Sequence, residues 1–213
     1  MADGPVIQRA SERALEHGTS LQDVLAMVKT FRSQDQQTPV VLMGYLNPIE
    51  VMGYETFAEA AAQAGVDGVL TVDLPPEEGH EFVTLLKARN LDPIFLVAPT
   101  SSEDRIRTIC EVASGFVYYV SLKGVTGAAN IDVDAVQEKI KLMRNITTLP
   151  IGVGFGIKDA NSATQVAGFS DAVIVGSALV RKVEAHPEQT DEIVSQITAV
   201  LASIREAIDH ISG

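Results

Sequence analysis

The sequence predicts a parallel α/β fold, and three observations carry that reading. Six short apolar, β-branched runs recur along the chain: Pro39–Gly44, Gly68–Asp73, Pro93–Ala98, Phe116–Ser121, Pro150–Gly154 and Asp171–Gly176. They begin 21 to 34 residues apart, with amphipathic stretches between them. Within each run the apolar residues are continuous rather than alternating, as expected of strands covered on both faces. Strand, helix, strand, repeated, is the grammar of a parallel sheet layered with helices.

The connecting helices carry legible signals. Ser20 with Asp23 three residues on is a capping box, and Val24, Leu25, Val28 and Phe31 then form one stripe. Asn47-Pro48 reads as an N-cap followed by proline in the first turn, opening a helix through Phe57, Ala61 and Ala62 that stops at Gly65. A short helix is expected from Gly176 to Val183. The last helix is expected from Pro187, with Glu188, Asp191 and Glu192 at its positive end. Ile193, Ile197, Val200, Leu201, Ile204 and Ile208 share one of its faces. An echo links Ala64–Leu70 with Ala167–Ile174: each is a helix stop at glycine, an acid in a turn, then a strand. Shared local grammar between βα units accounts for it. No polar linker interrupts the chain, so residues 1–213 read as a single domain.

Composition narrows the function classes. The 213 residues are 46% hydrophobic and 21% charged, an ordinary globular balance. Sixteen Lys and Arg against 28 Asp and Glu leave a formal charge of −12, which disfavours nucleic acid and anionic membranes as general partners. The single cysteine, Cys110, suits a reducing compartment and reads as a core thiol beside Ile106, Ile109 and Val112. The first ten residues show neither a basic region nor an apolar stretch, unlike a signal peptide, so a cytoplasmic protein is expected. The four histidines share no metal-ligand spacing, and no metal site is expected.

Glycines cluster after the late strands: Gly124 and Gly127, then Gly156, then Gly176 followed by Ser177 at a helix start. Backbone amides at such a terminus suit an anion. In (β/α)8 barrels a phosphate site commonly forms from the loops after strands 7 and 8 with a short extra helix. If Phe155-Gly156 and Gly176-Ser177 close those two strands, Pro39–Gly44 is strand 3. The chain then supplies about six βα units, strands 3 to 8, of a TIM-type barrel, and the first two units precede Met1. Asp73 ends its strand facing the active-site end; organising the Pro75-Pro76 turn and capping the next helix is an equal reading. Tyr118 and Tyr119 are adjacent and point to opposite faces, Tyr118 inward. Asp3, ahead of Gly4-Pro5, reads locally as an N-cap.

Seven segments, read in order, resemble one family: ADGPVIQ, VLMGYLNPI, GVDGVLTVDLPPEE, PIFLVAPTS, YYVSLKGVTGA, PIGVGFGI and VGSALV. The family is the tryptophan synthase α-subunit. The resemblance implies a (β/α)8 barrel and retro-aldol cleavage of indole-3-glycerol phosphate to indole and glyceraldehyde 3-phosphate. It also implies no cofactor on this subunit and a pyridoxal-phosphate β-subunit as partner in an α2β2 complex. By the same resemblance Asp3 accepts the indole N–H, outweighing its N-cap reading, and Tyr118 is the active-site tyrosine. Met43, Thr126 and Phe155 line the substrate pocket or lid, and Gly127, Gly156, Gly176 and Ser177 cradle the phosphate. Lys123 to Gly127 matches a lid loop, while the loops near Asp3, Asn47 and Pro75 face the β-subunit. The family's second carboxylate, a glutamate ending strand 2, has no counterpart in these 213 residues. The alternatives are a non-catalytic fragment that binds a phosphate ligand or the β-subunit, and a different phosphate-handling barrel enzyme.

Overall fold

The computed structural model describes residues 3–121, 132–154 and 156–211. Ten helices and six strands are seen among them: α1 (Pro5–Glu16), α2 (Leu21–Arg32), β1 (Val41–Gly44), α3 (Leu46–Met52), α4 (Tyr54–Ala64), β2 (Gly68–Thr71), α5 (His80–Ala88), β3 (Asp92–Val97), α6 (Glu103–Val112), β4 (Val117–Val120), α7 (Val133–Arg144), β5 (Ile151–Gly154), α8 (Ala160–Ala167), β6 (Ala172–Ile174), α9 (Ser177–Ala185) and α10 (Thr190–Asp209). All six strands pair in parallel in the order β1-β2-β3-β4-β5-β6. Each is joined to its neighbour through helix, and the result is six consecutive units of a TIM-type barrel, open between β1 and β6.

Alternation along the strands divides the side chains into two layers. Val69, Phe95, Val97, Val117, Tyr119, Ile151 and Val153 point outward and are buried under the helices. Leu70, Ile94 and Tyr118 point inward, joined by Val72, Leu96, Phe116, Val120 and Ile174. The outer layer forms two clusters, one around Phe57, Phe82 and Leu86, the other around Ile106, Ile140 and Met143. Phe57 and Phe82 pack as tilted rings 5.8 Å apart, and Tyr54 meets Phe82 at 5.0 Å. β1 departs from the expected two-sided cover: Leu42 packs on the helical layer, whereas Val41 and Met43 are 38% and 50% exposed on the inner face.

The echo between residues 64–70 and 167–174 has a physical basis at the amino ends of the strands. Asp67 Oδ2 accepts from the Val40 N–H at 2.7 Å and from Arg32 Nη2 at 2.5 Å. Asp171 Oδ2 accepts from the Ile151 N–H at 2.8 Å, and its carboxylate also meets Arg144 Nη2 at 3.1 Å. In both units an arginine ending one helix and an acid preceding the next strand fix the register of neighbouring strands. Arg32 goes further, donating to the carbonyls of Gly65, Asp35 and Thr38.

Several local expectations need correction. The stretch after Asn47 is two helices, because Gly53 adopts φ +88° and breaks it. α3 begins at Leu46, with Tyr45 as N-cap and Asn47 and Pro48 inside its first turn. Gly65 does end α4, in the left-handed region. α10 starts at Thr190 rather than Pro187, and of its expected stripe only Ile204 is buried; Leu201 is 43% exposed. Phe31 on α2 is 40% exposed and lies beneath the Arg32 guanidinium, while the Ser20–Asp23 capping box and the burial of Leu25 and Val28 are as expected. Cys110 is half-buried against the core, and burial pushes its thiol up.

Candidate active site

Several residues singled out in the sequence lie at or near the carboxyl ends of the strands. Tyr118 stands on the inner face of β4, in register with Leu96 on β3 and Gly152 on β5. Its ring lies against Gly154: a Cβ added there would sit 2.5 Å from Cε2 and 2.6 Å from Cζ. Gly152 makes room for its neighbours in the same way, since a Cβ would meet Ile174 Cδ1 at 2.9 Å and the Phe116 ring at 3.4 Å. Two glycines of the Ile151–Gly154 run therefore make room for packing. Burial alone pushes the Tyr118 phenol up to about 12, so it stays protonated across the physiological range. Tyr119 faces outward into the helical core, and its phenol is also raised, mainly by burial.

Asp3 is brought to this end by a contact the local sequence did not reveal. The Tyr45 hydroxyl donates to Asp3 Oδ2 at 2.8 Å and accepts from the Asp3 N–H at 3.3 Å. Asp3 is not a cap: the N-cap of α1 is Gly4, with no side-chain bond to the helix, and Pro5 follows in the first turn. Its carboxylate is thus left available to something other than the helix. Tyr45 immediately follows β1, two residues from Met43, which pairs with Leu70 on β2.

Asp73 lies just past the carboxyl end of β2 and does not cap the helix that follows. Its Oδ1 accepts from the Leu46 N–H at 2.8 Å, so it satisfies the amino end of α3 from the end of the neighbouring strand. The helix after Pro75-Pro76 has Gly79 at its N-cap and no side-chain cap.

On the other side of the sheet, Gly176 is the N-cap of α9 and Ser177 its first residue. No side chain caps this terminus, and nothing stands within 4 Å of where a Gly176 Cβ would be. Gly156 is exposed, with φ +79°. Open amides at the start of a nine-residue helix suit an anion. Thr126, Gly127 and Phe155, and the stretch from Lys123, lie outside the described residues.

α1 and α9 are joined directly. Arg9 grips Glu184 with two bonds, Nε to Oε1 at 2.6 Å and Nη2 to Oε2 at 3.0 Å, and Arg13 reaches the same carboxylate at 3.4 Å. These contacts hold the Glu184 carboxyl below its ordinary range. The helix after Asp3 is therefore tied to the helix after Gly176.

A cleft of about 580 Å³ lies elsewhere, between the starts of α4 and α5, lined by Tyr54, Thr56, His80 and Thr84. It contains none of the strand-end residues. Among the described residues no three His, Cys, Asp or Glu side chains converge as metal ligands would, and no helix is long and apolar enough to cross a membrane.

The chain is similar to known proteins over nearly its whole length. The profile of the tryptophan synthase alpha chain family matches residues 1–209. A tryptophan synthase alpha chain from Thioalkalivibrio sulfidiphilus is 63% identical over 209 residues, which make up 98% of this chain and 79% of that one. The corresponding protein of Marinobacter nauticus is 59% identical over 212 residues, covering 78% of its length. Among solved structures, tryptophan synthase subunit alpha from Legionella pneumophila superposes with a TM-score of 0.89 at 44% identity, over 99% of this chain and 78% of that one. The tryptophan synthase a2b2 complex of Pyrococcus furiosus provides a match with a TM-score of 0.86 at 33% identity, over 97% and 82%. With six parallel strands in the same arrangement and a match over nearly its whole length, the chain belongs to the tryptophan synthase alpha chain family of tryptophan biosynthesis, a family of lyases.

Proposed function

We propose that the strand-end site binds indole-3-glycerol phosphate and serves its retro-aldol cleavage to indole and glyceraldehyde 3-phosphate. Asp3 accepts the indole N–H, and Tyr118 supplies a protonated phenol beside the side chain. Gly127, Gly156, Gly176 and Ser177 hold the phosphate, and Met43, Thr126 and Phe155 complete the pocket. The observation that carries this reading is Asp3 itself: it is drawn to the strand ends by Tyr45 instead of capping α1.

The chemistry makes distinct demands. Cleaving the bond from indole C3 to the side chain requires a proton at C3, an acceptor for the ring N–H as positive charge develops, and a base for the adjacent hydroxyl. Asp3 meets the second demand. The other two call for a second carboxylate. Among the three residues following each strand the only carboxylate is Asp73, and it is engaged with the Leu46 N–H. We infer that this acid is supplied from outside the 213 residues. The chain alone then binds substrate and cleaves it poorly. Consistent with the family's biology, the partner is a tryptophan synthase β-subunit in an α2β2 complex. Pyridoxal phosphate resides on that partner, and the α-chain uses no cofactor.

The test measures release of glyceraldehyde 3-phosphate from indole-3-glycerol phosphate with β-subunit present. The 213-residue chain is expected near background, and a chain extended by an amino-terminal segment ending a strand in glutamate is expected to turn over. Asp3→Asn in the extended chain is expected to lower kcat about 100-fold or more, as for loss of a group that stabilises charge developing in the transition state. Full turnover by the 213 residues would refute the external acid, and unchanged turnover in Asp3→Asn would refute the role of Asp3.

A further inference from the structure

We propose that Tyr45 is the positioning residue of the site, holding the Asp3 carboxylate in the orientation that accepts a ring N–H. The proposal rests on the reading of Asp3 given above.

The geometry is specific. One hydroxyl makes both contacts to Asp3, donating to Oδ2 at 2.8 Å and accepting from the main-chain N–H at 3.3 Å. The first fixes the rotation of the carboxylate, and the second fixes the backbone that carries it. A hydroxyl bonded to an ionised carboxylate is a short, directional contact. Among the described residues Oδ2 is anchored by Tyr45 and Oδ1 takes no hydrogen bond, so Oδ1 is the oxygen to which the ring N–H is assigned. The helix that follows Asp3 has Val6 as its only buried side chain, so α1 itself gives Asp3 little support.

Tyr45 is itself held by the sheet. The carbonyl of Gly44 accepts from the Val72 N–H at 2.9 Å, and Gly44 pairs with Thr71. The next amide past Tyr45, that of Leu46, is taken by Asp73 at 2.8 Å. The end of β2 thereby fixes the turn that presents Tyr45, and Tyr45 fixes Asp3, 42 residues away in sequence. This gives Asp73 a supporting place behind Tyr45. A tyrosine that merely pinned the amino terminus to the core would need only one of the two contacts to Asp3, and phenylalanine packing would serve nearly as well.

The experiment uses the 213-residue chain and equilibrium binding, so it does not depend on turnover. Two uncleavable probes are compared: indole with a three-carbon phosphate chain at C3, and the benzofuran of the same shape, in which the ring N–H is replaced by oxygen. The unmodified chain is expected to prefer the indole probe at least ten-fold, the size of one hydrogen bond to a charged acceptor. Tyr45→Phe is expected to reduce that preference below three-fold while leaving benzofuran affinity unchanged within two-fold. Asp3→Ala, which removes the acceptor, is expected to abolish the preference, and Tyr45→Phe added to it should change nothing further. If Asp3→Ala abolishes the preference and Tyr45→Phe keeps it, the proposal is overturned while the role of Asp3 stands. Equal losses on both probes in Tyr45→Phe make Tyr45 a scaffold residue and also overturn it. A preference that survives Asp3→Ala, or no binding by the unmodified chain, overturns the reading of Asp3 and the proposal with it.

Discussion

Gly154→Ala places one methyl group where the Tyr118 ring already lies. The added carbon would stand 2.5 Å from Cε2 and 2.6 Å from Cζ, against an ordinary carbon–carbon contact of about 3.5–4.0 Å. The ring must retreat by about 1 Å. Its way is blocked by the inner layer, where Leu70 and Ile94 are each 2% exposed. The backbone at Gly154 has no positive φ, so the cost is steric crowding and not conformational strain. Overpacking of this kind costs about 1–3 kcal/mol, which at ordinary urea sensitivities lowers the unfolding midpoint by about 0.5–1 M. Urea titration followed by far-ultraviolet circular dichroism measures it. Tyr118→Leu carries its own cost, but in that background Gly154→Ala should become nearly neutral, a coupling of about 1–2 kcal/mol in a double-mutant cycle. An unchanged midpoint in Gly154→Ala, or additive effects in the pair, would refute the packing argument.

The remaining expectations concern other parts of the chain. Because burial raises the Tyr118 phenol to about 12, the unfolded chain releases this proton first as pH rises past about 10. Its contribution is present in full below pH 10 and lost between pH 10 and 12, at up to about 1.4 kcal/mol per pH unit. Tyr118→Phe should flatten that part of a stability-against-pH curve. Arg32→Lys removes the fork that joins Asp67 to three carbonyls, and should lower the urea midpoint more than Arg107→Lys, whose surface pair lies within one helix. Equal effects would show that the Arg32 network adds nothing. Cys110, half-buried and with its thiol raised by burial, should react with a thiol reagent at least ten-fold more slowly in the folded chain than in urea.

Much of the architecture was readable because parallel strands buried on both sides announce themselves as continuous apolar runs. All six are present at their expected places, and Tyr118 and Tyr119 divide between the inner and outer faces as alternation requires. The misreadings arise where tertiary contacts overrule local signals. Asn47-Pro48 looked like a helix start, yet the helix begins earlier because Asp73, from the next strand, satisfies the Leu46 amide. Asp3 looked like a cap by its spacing, and only a partner 42 residues away draws it off. Tyr45 carries no signal of its own beyond a hydroxyl next to a strand end. Two glycines inside a strand run carried no signal of their own, yet Gly152 and Gly154 make room for Ile174, Phe116 and Tyr118, while Gly176 opens a helix terminus as its place after a strand suggests.

The bridge from Arg9 to Glu184 joins residues 175 apart in the chain. Contacts of such separation cannot nucleate folding, because the chain between them must first be ordered by nearer pairings. α1, with one buried side chain, and α9, with none, are therefore among the helices expected to detach most readily. Amide exchange in α1 should outpace that in α6 or α7, and α9 should gain protection only when α1 is in place. Assembly of the proposed site is then a late event of folding, because Asp3 sits beside a helix held by few buried side chains.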